Sequence, residues 1–325
     1  MPVSRFRPPW WARSPHIQTI TPTLVPGSMP ALRHEDVDLP DGDFVQLSWA
    51  DTPVPGQPLL VLIHGLGGSA ESSYIRRMIA ETRGLPVAVV VHHHRGCGRA
   101  PNRLPRAYHS GDTADIGHVF DALTRRFPAS PLWAVGYSLG GNQLVKYLGE
   151  RGRQTPIVRA AAVSPPLDLA ACVERMARGR SKLYARYLLR DLLPPMRTKL
   201  ADPRLAGSMP FDRASLERVR TLRAYDDLVT APLHGFADAD DYYARSSGLP
   251  YLARIAQPTL VVHAADDPLM SAAVIPRADQ LAAPVTYELS PRGGHVGFIE
   301  GGSPWRPRFY LERRLLAFLR ADRSA

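Results

Sequence analysis

The sequence predicts a three-layer α/β fold: a mostly parallel central sheet, an N-terminal antiparallel hairpin and a helical insertion. Three observations carry that reading. Short apolar runs recur between Leu59 and Ser290 with helical segments between them, and such alternation lays helices on both faces of a sheet. Most of the runs are continuously apolar, as strands covered on both faces must be. The rhythm breaks once, over some 90 residues from Pro165 to about Ile255 that hold no convincing strand.

The elements follow in order. "HEDVDLPDGDFVQLSWA" reads as two strands joined at Pro40-Asp41-Gly42-Asp43, a hairpin signal. After the Pro-rich link "DTPVPGQP" come the strand runs 59–65, 86–94, 131–137, 157–164, 258–264 and 285–290. Helices are expected at about 72–83, 113–127, 141–151 and 271–283, with Ser110, Asp112 and Thr113 as possible N-caps of the second. "RPRFYLERRLLAFLRAD" closes the chain as an amphipathic helix, Phe309, Leu311, Leu315, Leu316 and Leu319 standing near helical spacing. Within the strandless stretch, "DLAACVERMARG", "SKLYARYLLRDLL", "DRASLERVRTLRAYDDLV" and "DADDYYARSS" read as helices separated by Pro and Gly. We read residues 1–325 as a single domain, with about 166–255 as a helical cap over the sheet.

Size and charge narrow the function. At 325 residues a large core is available. No apolar run approaches the roughly 20 residues of a membrane span, and the N-terminus lacks a signal peptide's apolar centre; the expected location is the cytoplasm. Net charge is +10 and pI about 9.9, which raises nucleic acid as a partner. However, arginine supplies 37 of the 40 basic residues, scattered in pairs such as Arg76–Arg77 and Arg125–Arg126. Without clustering on one element, no nucleic-acid partner is expected. Cys97 and Cys172 are too few for a disulfide framework and lack zinc spacing.

Chemistry enters at "LWAVGYSLGGN", residues 132–142. Gly-x-Ser-x-Gly after a strand and before a helix is a nucleophile elbow, a turn tight enough to project Ser138 above the sheet. The following helix offers free N–H groups to developing negative charge. A serine nucleophile needs a base, and the base an orienting acid. These are expected in the chain order serine, acid, histidine. "LVVHAADDPLM" and "LSPRGGHVGF" supply Asp267 and His295, each just past a strand's C-terminal end, where α/β sheets place their chemistry. Asp266 is expected to cap or brace the loop, and Asp168 is the other candidate acid. Leu66, after His64-Gly65, and Leu139 are the expected backbone donors to an oxyanion.

Other signals take structural readings. Neighbouring side chains of a strand face opposite ways, so His92, His93 and His94 cannot all converge on one metal. "DADDYY" (238–243) lacks the glycine of a calcium loop and reads as a capped helix start. Trp10 and Trp11, beside Arg13, could dip into a membrane interface; packing against the body of the domain is the expectation.

With these motifs assembled, the chain resembles the α/β-hydrolases of the YheT-like family. The resemblance rests on "RSPHIQTITPTL", "HGLGGS", "HHRGCGRAPNRLPRAYHSGDTADI", "GYSLGGN", "GFADADDYYARSS", "HAADDPLM" and "GGHVGF", spanning residues 13 to 299 in family order. Gly98-Arg99-Ala100 departs from the commoner Ser-Gly-Glu-like sequence of that family. The resemblance implies the α/β-hydrolase fold and a serine esterase whose nucleophile, acid and histidine fall on Ser138, Asp267 and His295. Animal members carry a membrane anchor and act on lipid or short-chain esters; no anchor is expected here. The expected partner is a small-molecule carboxylic ester, lipid or soluble, with no metal or organic cofactor. The same machinery could transfer the acyl group to an alcohol, and a ligand-binding protein on this scaffold is the rival reading.

Overall fold

A computed structural model describes residues 4–25 and 27–321. Eight strands build one sheet: β1 (Arg33–Asp38), β2 (Phe44–Trp49), β3 (Leu59–Ile63), β4 (Ala88–His93), β5 (Leu132–Tyr137), β6 (Ile157–Val163), β7 (Thr259–Ala264) and β8 (Val285–Ser290). Their order is β1-β2-β4-β3-β5-β6-β7-β8. β1 pairs with β2, and β2 with β4, antiparallel; the other pairings are parallel. The hairpin and the parallel core both match the sequence expectation.

Alternation of side chains makes the three layers. Leu59, Val61 and Ile63 of β3 enter one core, with Ile116, Val119 and Phe120 of α3 (Ala114–Arg126) and Leu144 and Leu148 of α4 (Leu139–Arg151). Leu60 and Leu62 enter the other, against Ile75, Met78 and Ile79 of α2 (Ser73–Glu81) and the C-terminal helix Leu311–Leu319. Each fully buried Leu, Ile or Phe contributes roughly 1.5–3 kcal/mol, so these two cores hold the layers together. The hairpin is tied on electrostatically: buried Arg95, after β4, pairs with Asp43 at 3.0 Å and with Asp115 of α3 at 2.6 Å. In the departing segment beyond it, Arg99 N–H donates to Gln46 of β2 at 3.0 Å.

Between β6 and β7 the described chain is helical, with no strand. Its elements include α5 (Leu169–Met176) and the longest, α6 (Lys182–Ala201). α5 is capped by Asp168, which accepts from Ala171 N–H. Asp238 caps Ala239–Ser246 in the same way, so "DADDYY" is a capped helix start.

Four sequence expectations need correction. Residues 271–283 form only two short 3-10 turns, Ala272–Val274 and Ala278–Gln280. Pro276 is the cause: it lacks an N–H and forces the preceding Ile275 into extended backbone (φ −83°, ψ 115°). α6 continues through Pro194 and Pro195, where the sequence suggested a stop near Leu193; Lys199 anchors its far end by donating to the carbonyls of Leu104, Pro105 and Arg106. Phe309 lies in a hairpin, β9 (Ile299–Ser303) with β10 (Arg306–Phe309), and not in the closing helix. Finally, Trp10 is 82% exposed and does not pack on the domain, whereas Trp11 donates its indole N–H to Gly302 C=O at 3.0 Å.

The histidine triplet is a packing feature. His92, His93 and His94 are buried at the end of β4, and burial lowers them to about 3, 4 and 3. Burial likewise holds His234 at about 3 and His263 at about 4. All five are therefore neutral when folded, whereas an unfolded histidine titrates near about 6.5. Their contribution is complete above about pH 6.5 and is lost as pH falls, because the unfolded chain then binds protons that the folded chain refuses. Asp112 and Asp226, raised by burial to about 6 and about 7, oppose the trend, but are outnumbered. Calorimetric unfolding from about pH 7 to about pH 5 should show a steadily falling midpoint, with a slope of up to about 1.4 kcal/mol per pH unit per histidine. A midpoint unchanged across that range would contradict neutral burial.

Candidate active site

The site grows from a collision avoided. β5 runs into α4 with only Ser138 between them, and Ser138 takes left-handed backbone angles (φ 51°, ψ −119°). A Cβ on Gly136 would lie 2.3 Å from Gly140 C=O, and one on Gly140 would lie 2.5 Å from His64 C=O. Any larger residue at either place would push strand, helix and the loop after β3 apart. The two glycines flanking the serine are thus what allow Ser138 to sit at the C-terminal end of the sheet.

Two other loops converge there. Asp267 follows β7, and its loop is closed by its own N–H donating to Ala264 C=O at 3.1 Å. Its carboxylate is buried; Oδ1 accepts from Leu269 N–H at 2.9 Å and Oδ2 accepts from His295 Nδ1 at 2.7 Å. The other imidazole nitrogen, Nε2, accepts from Ser138 Oγ at 2.9 Å. Three residues from separate loops therefore form one hydrogen-bonded series. The neighbouring Asp266 braces the histidine loop, accepting from Gly294 N–H at 2.9 Å. Asp168 takes no part, being committed to the cap of α5.

The loop after β3 faces the serine. A Cβ on Gly65 would stand 3.1 Å from that of Ser138, so the loop passes at contact distance. Gly65 N–H donates to Tyr74 OH and Gly67 N–H to Tyr108 OH, each at 2.9 Å. These bonds pin the loop on both sides of Leu66, whose own N–H has no partner among the described residues. Leu66 and Leu139 both line the cavity above Ser138.

Sequence reasoning missed the support beneath His295. Helix α1 (Pro15–Leu24) packs against the histidine loop so tightly that a Cβ on Gly297 would lie 2.1 Å from Gln18 C=O. Thr19 Oγ1 accepts from His295 N–H at 2.9 Å. Gln18, fully buried, accepts from Ile299 N–H at 2.6 Å and donates to the carbonyls of Ala12 and Ile299. Strain gathers here too. Among the described residues, the non-glycine ones with positive φ are Ser138, Ser164, Val296 and Phe298, and Ser164 Oγ accepts from Val296 N–H at 3.2 Å. Such strain persists only where surrounding contacts fix it.

A cavity of about 550 Å³ opens over Ser138 and His295. Leu169, Met176, Leu188 and Met270 form apolar walls, and Tyr184 and Tyr187 of α6 also line it. A second cavity, about 430 Å³, shares Leu66, Gly67, Leu139 and Asp226 with the first but is more polar, adding Tyr108, His109 and Lys199. Burial lowers Lys199 to about 8 and raises Asp226 to about 7.

A model of the alpha/beta hydrolase fold matches residues 58–302. The Escherichia coli protein YheT is 44% identical over 92% of this chain and 88% of its own length. Human phospholipase ABHD3 is 28% identical over 97% of this chain and 78% of its own length. Among solved structures, an esterase of Pyrococcus furiosus superposes with a TM-score of 0.55 over 98% of both chains at 15% identity, a likeness of fold.

The closeness at the elbow gives a direct test. Gly140→Ala should destabilise the protein by about 3 kcal/mol or more, since nothing near it can move without parting the layers. Gly207→Ala, which meets nothing within 4 Å, should leave the unfolding midpoint within about 2 °C. Equal effects in thermal unfolding would refute the packing argument. By the extent and identity of these matches, the chain belongs to the α/β-hydrolase family, in its YheT-like branch.

Proposed function

We propose that this protein is a serine hydrolase of carboxylic esters working through an acyl-enzyme. The observation that carries the reading is the unbroken series from Ser138 Oγ through the His295 imidazole to the Asp267 carboxylate. In it, His295 Nε2 takes the Ser138 proton as Oγ attacks the acyl carbon. Asp267 holds the tautomer with the proton on Nδ1 and stabilises the imidazolium that forms. The N–H groups of Leu66 and Leu139 receive the oxyanion charge, a term worth about 2.7–4 kcal/mol per donor. The alcohol leaves with the proton from His295. Water, deprotonated by the same imidazole, then attacks the acyl-enzyme and frees the acid, returning the proton to Ser138. No step calls on a metal or organic cofactor.

The two cavities support an ester that is apolar on one side and polar on the other. The acyl chain lies along Leu169, Met176 and Leu188, and the alcohol portion turns toward Tyr108 and Asp226. In this reading the helical insertion, about 166–255, is a cap that supplies the apolar wall. The name of the phospholipase relative agrees with a lipid-like ester.

Wild-type protein should be labelled by a fluorophosphonate probe, and Ser138→Ala should not. Turnover of a p-nitrophenyl ester should fall about 10⁴-fold or more in Ser138→Ala, and about 10⁴-fold in Asp267→Asn. Folded wild-type protein that neither labels nor turns over would overturn the assignment. Across a p-nitrophenyl series, kcat/KM should rise about two- to fourfold per added methylene until the apolar cavity fills. Preference for acetate over all longer chains would remove Leu169, Met176 and Leu188 from the acyl site.

A further inference from the structure

Helix α1 is inside out. An amphipathic helix ordinarily turns its apolar stripe to the core. Here the buried positions are Gln18 and Pro22, while Ile17, Ile20 and Leu24, spaced i, i+3, i+7, are 40%, 47% and 74% exposed. The inner face is held by the polar bonds of Gln18 and Thr19. The outer stripe stays open to solvent over much of its surface.

The patch extends on both sides. Trp10, just ahead of α1, is 82% exposed, and the Trp11–Gly302 bond draws the β9–β10 turn alongside, where Trp305 is 86% exposed. On the other flank His16 stacks on Tyr184 with ring centroids 5.9 Å apart. There Leu183 and Tyr187 are 64% and 59% exposed. Thr19, Pro22, Thr23 and Tyr187 also line the cavity above Ser138. The apolar face therefore frames the mouth of that cavity.

Charge identifies what covers it. From residue 4 to residue 30 the chain holds Arg5, Arg7 and Arg13 and no acid. From 180 to 190 it holds four basic residues and no acid, and from 301 to 308 two arginines and no acid. A second copy of this chain is a poor match, since a two-fold interface sets the same patch against itself and would oppose arginine to arginine. Exposed tryptophans with arginines close by in the sequence suit an interface between water and lipid, with anionic head groups as counter-charges. We propose that this face docks on an anionic lipid surface, α1 lying in its plane and the cavity mouth turned toward it. The docking does not depend on the hydrolase assignment.

The full-length protein should co-sediment with vesicles containing phosphatidylglycerol, and not with pure phosphatidylcholine vesicles. Binding should weaken about tenfold or more between roughly 0.1 and 0.5 M salt. The double variant Trp10→Ala, Leu24→Ser should bind at least about tenfold less while keeping its unfolding midpoint and its fluorophosphonate labelling. In the wild type, brominated phosphatidylglycerol should quench tryptophan fluorescence, because Trp49 and Trp133 are buried and only Trp10, Trp11 and Trp305 can reach the lipid. Absence of anionic-vesicle binding, absence of quenching, or a folded double variant that binds as wild type would each overturn the proposal. So would a stable dimer in lipid-free solution that the double variant dissolves. Vesicle binding that fails while labelling persists counts against the docking alone; labelling that fails while binding persists counts against the hydrolase alone.

Discussion

The approach of α4 to the end of β5 is the constraint on which the candidate site depends. Closing strand and helix over one residue forces Ser138 into left-handed backbone, a conformation that costs a non-glycine residue of order 1–3 kcal/mol. The price is met by the buried cores on both faces of β5, where Leu132, Ala134 and Val135 are shielded. Because the same closeness brings His64 and Gly65 against the elbow, the loop bearing Leu66 has no independent freedom. Ser138 and the amides of Leu66 and Leu139 are thus set by one packing event.

The histidine is positioned differently. Its loop leaves β8 at the sheet's edge and is held from below by a helix distant in sequence. Thr19 and Gln18 accept hydrogen bonds from the backbone N–H groups of His295 and Ile299 respectively, and Asp266 fixes Gly294. A loop with left-handed Val296 and Phe298 would not hold this shape unaided. The serine is therefore placed by apolar compression, and the imidazole by polar clamps. The residues matched to the family, 58–302, leave out the helix that supplies two of those clamps.

How much was legible in the sequence follows from the range of each interaction. The strands and the elbow are local: β-runs such as "LLVLI" and the Gly-x-Ser-x-Gly turn announce themselves within a few residues. Ser138, Asp267 and His295 could be ordered along the chain because each follows a strand end. Pro276 was visible too, and its break in 271–283 should have outweighed the helical spacing around it. The β9–β10 hairpin was hidden because Phe309 extends the apolar spacing of the following helix by one step. Nothing local marks Gln18 as a core residue or Trp10 as an exposed one. Both depend on α1 packing with its polar side inward, against a loop some 280 residues away.

The clamp also makes the proposed chemistry severable. A protease cutting in the exposed stretch after α1, near Gly27 and Ser28, would leave every strand of the sheet covalently intact. If the freed helix then departed, the amides of His295 and Ile299 would lose their acceptors and the imidazole its floor. N-terminal trimming would thus silence the proposed hydrolase without touching the serine, the carboxylate or the cavity walls that come from the rest of the chain.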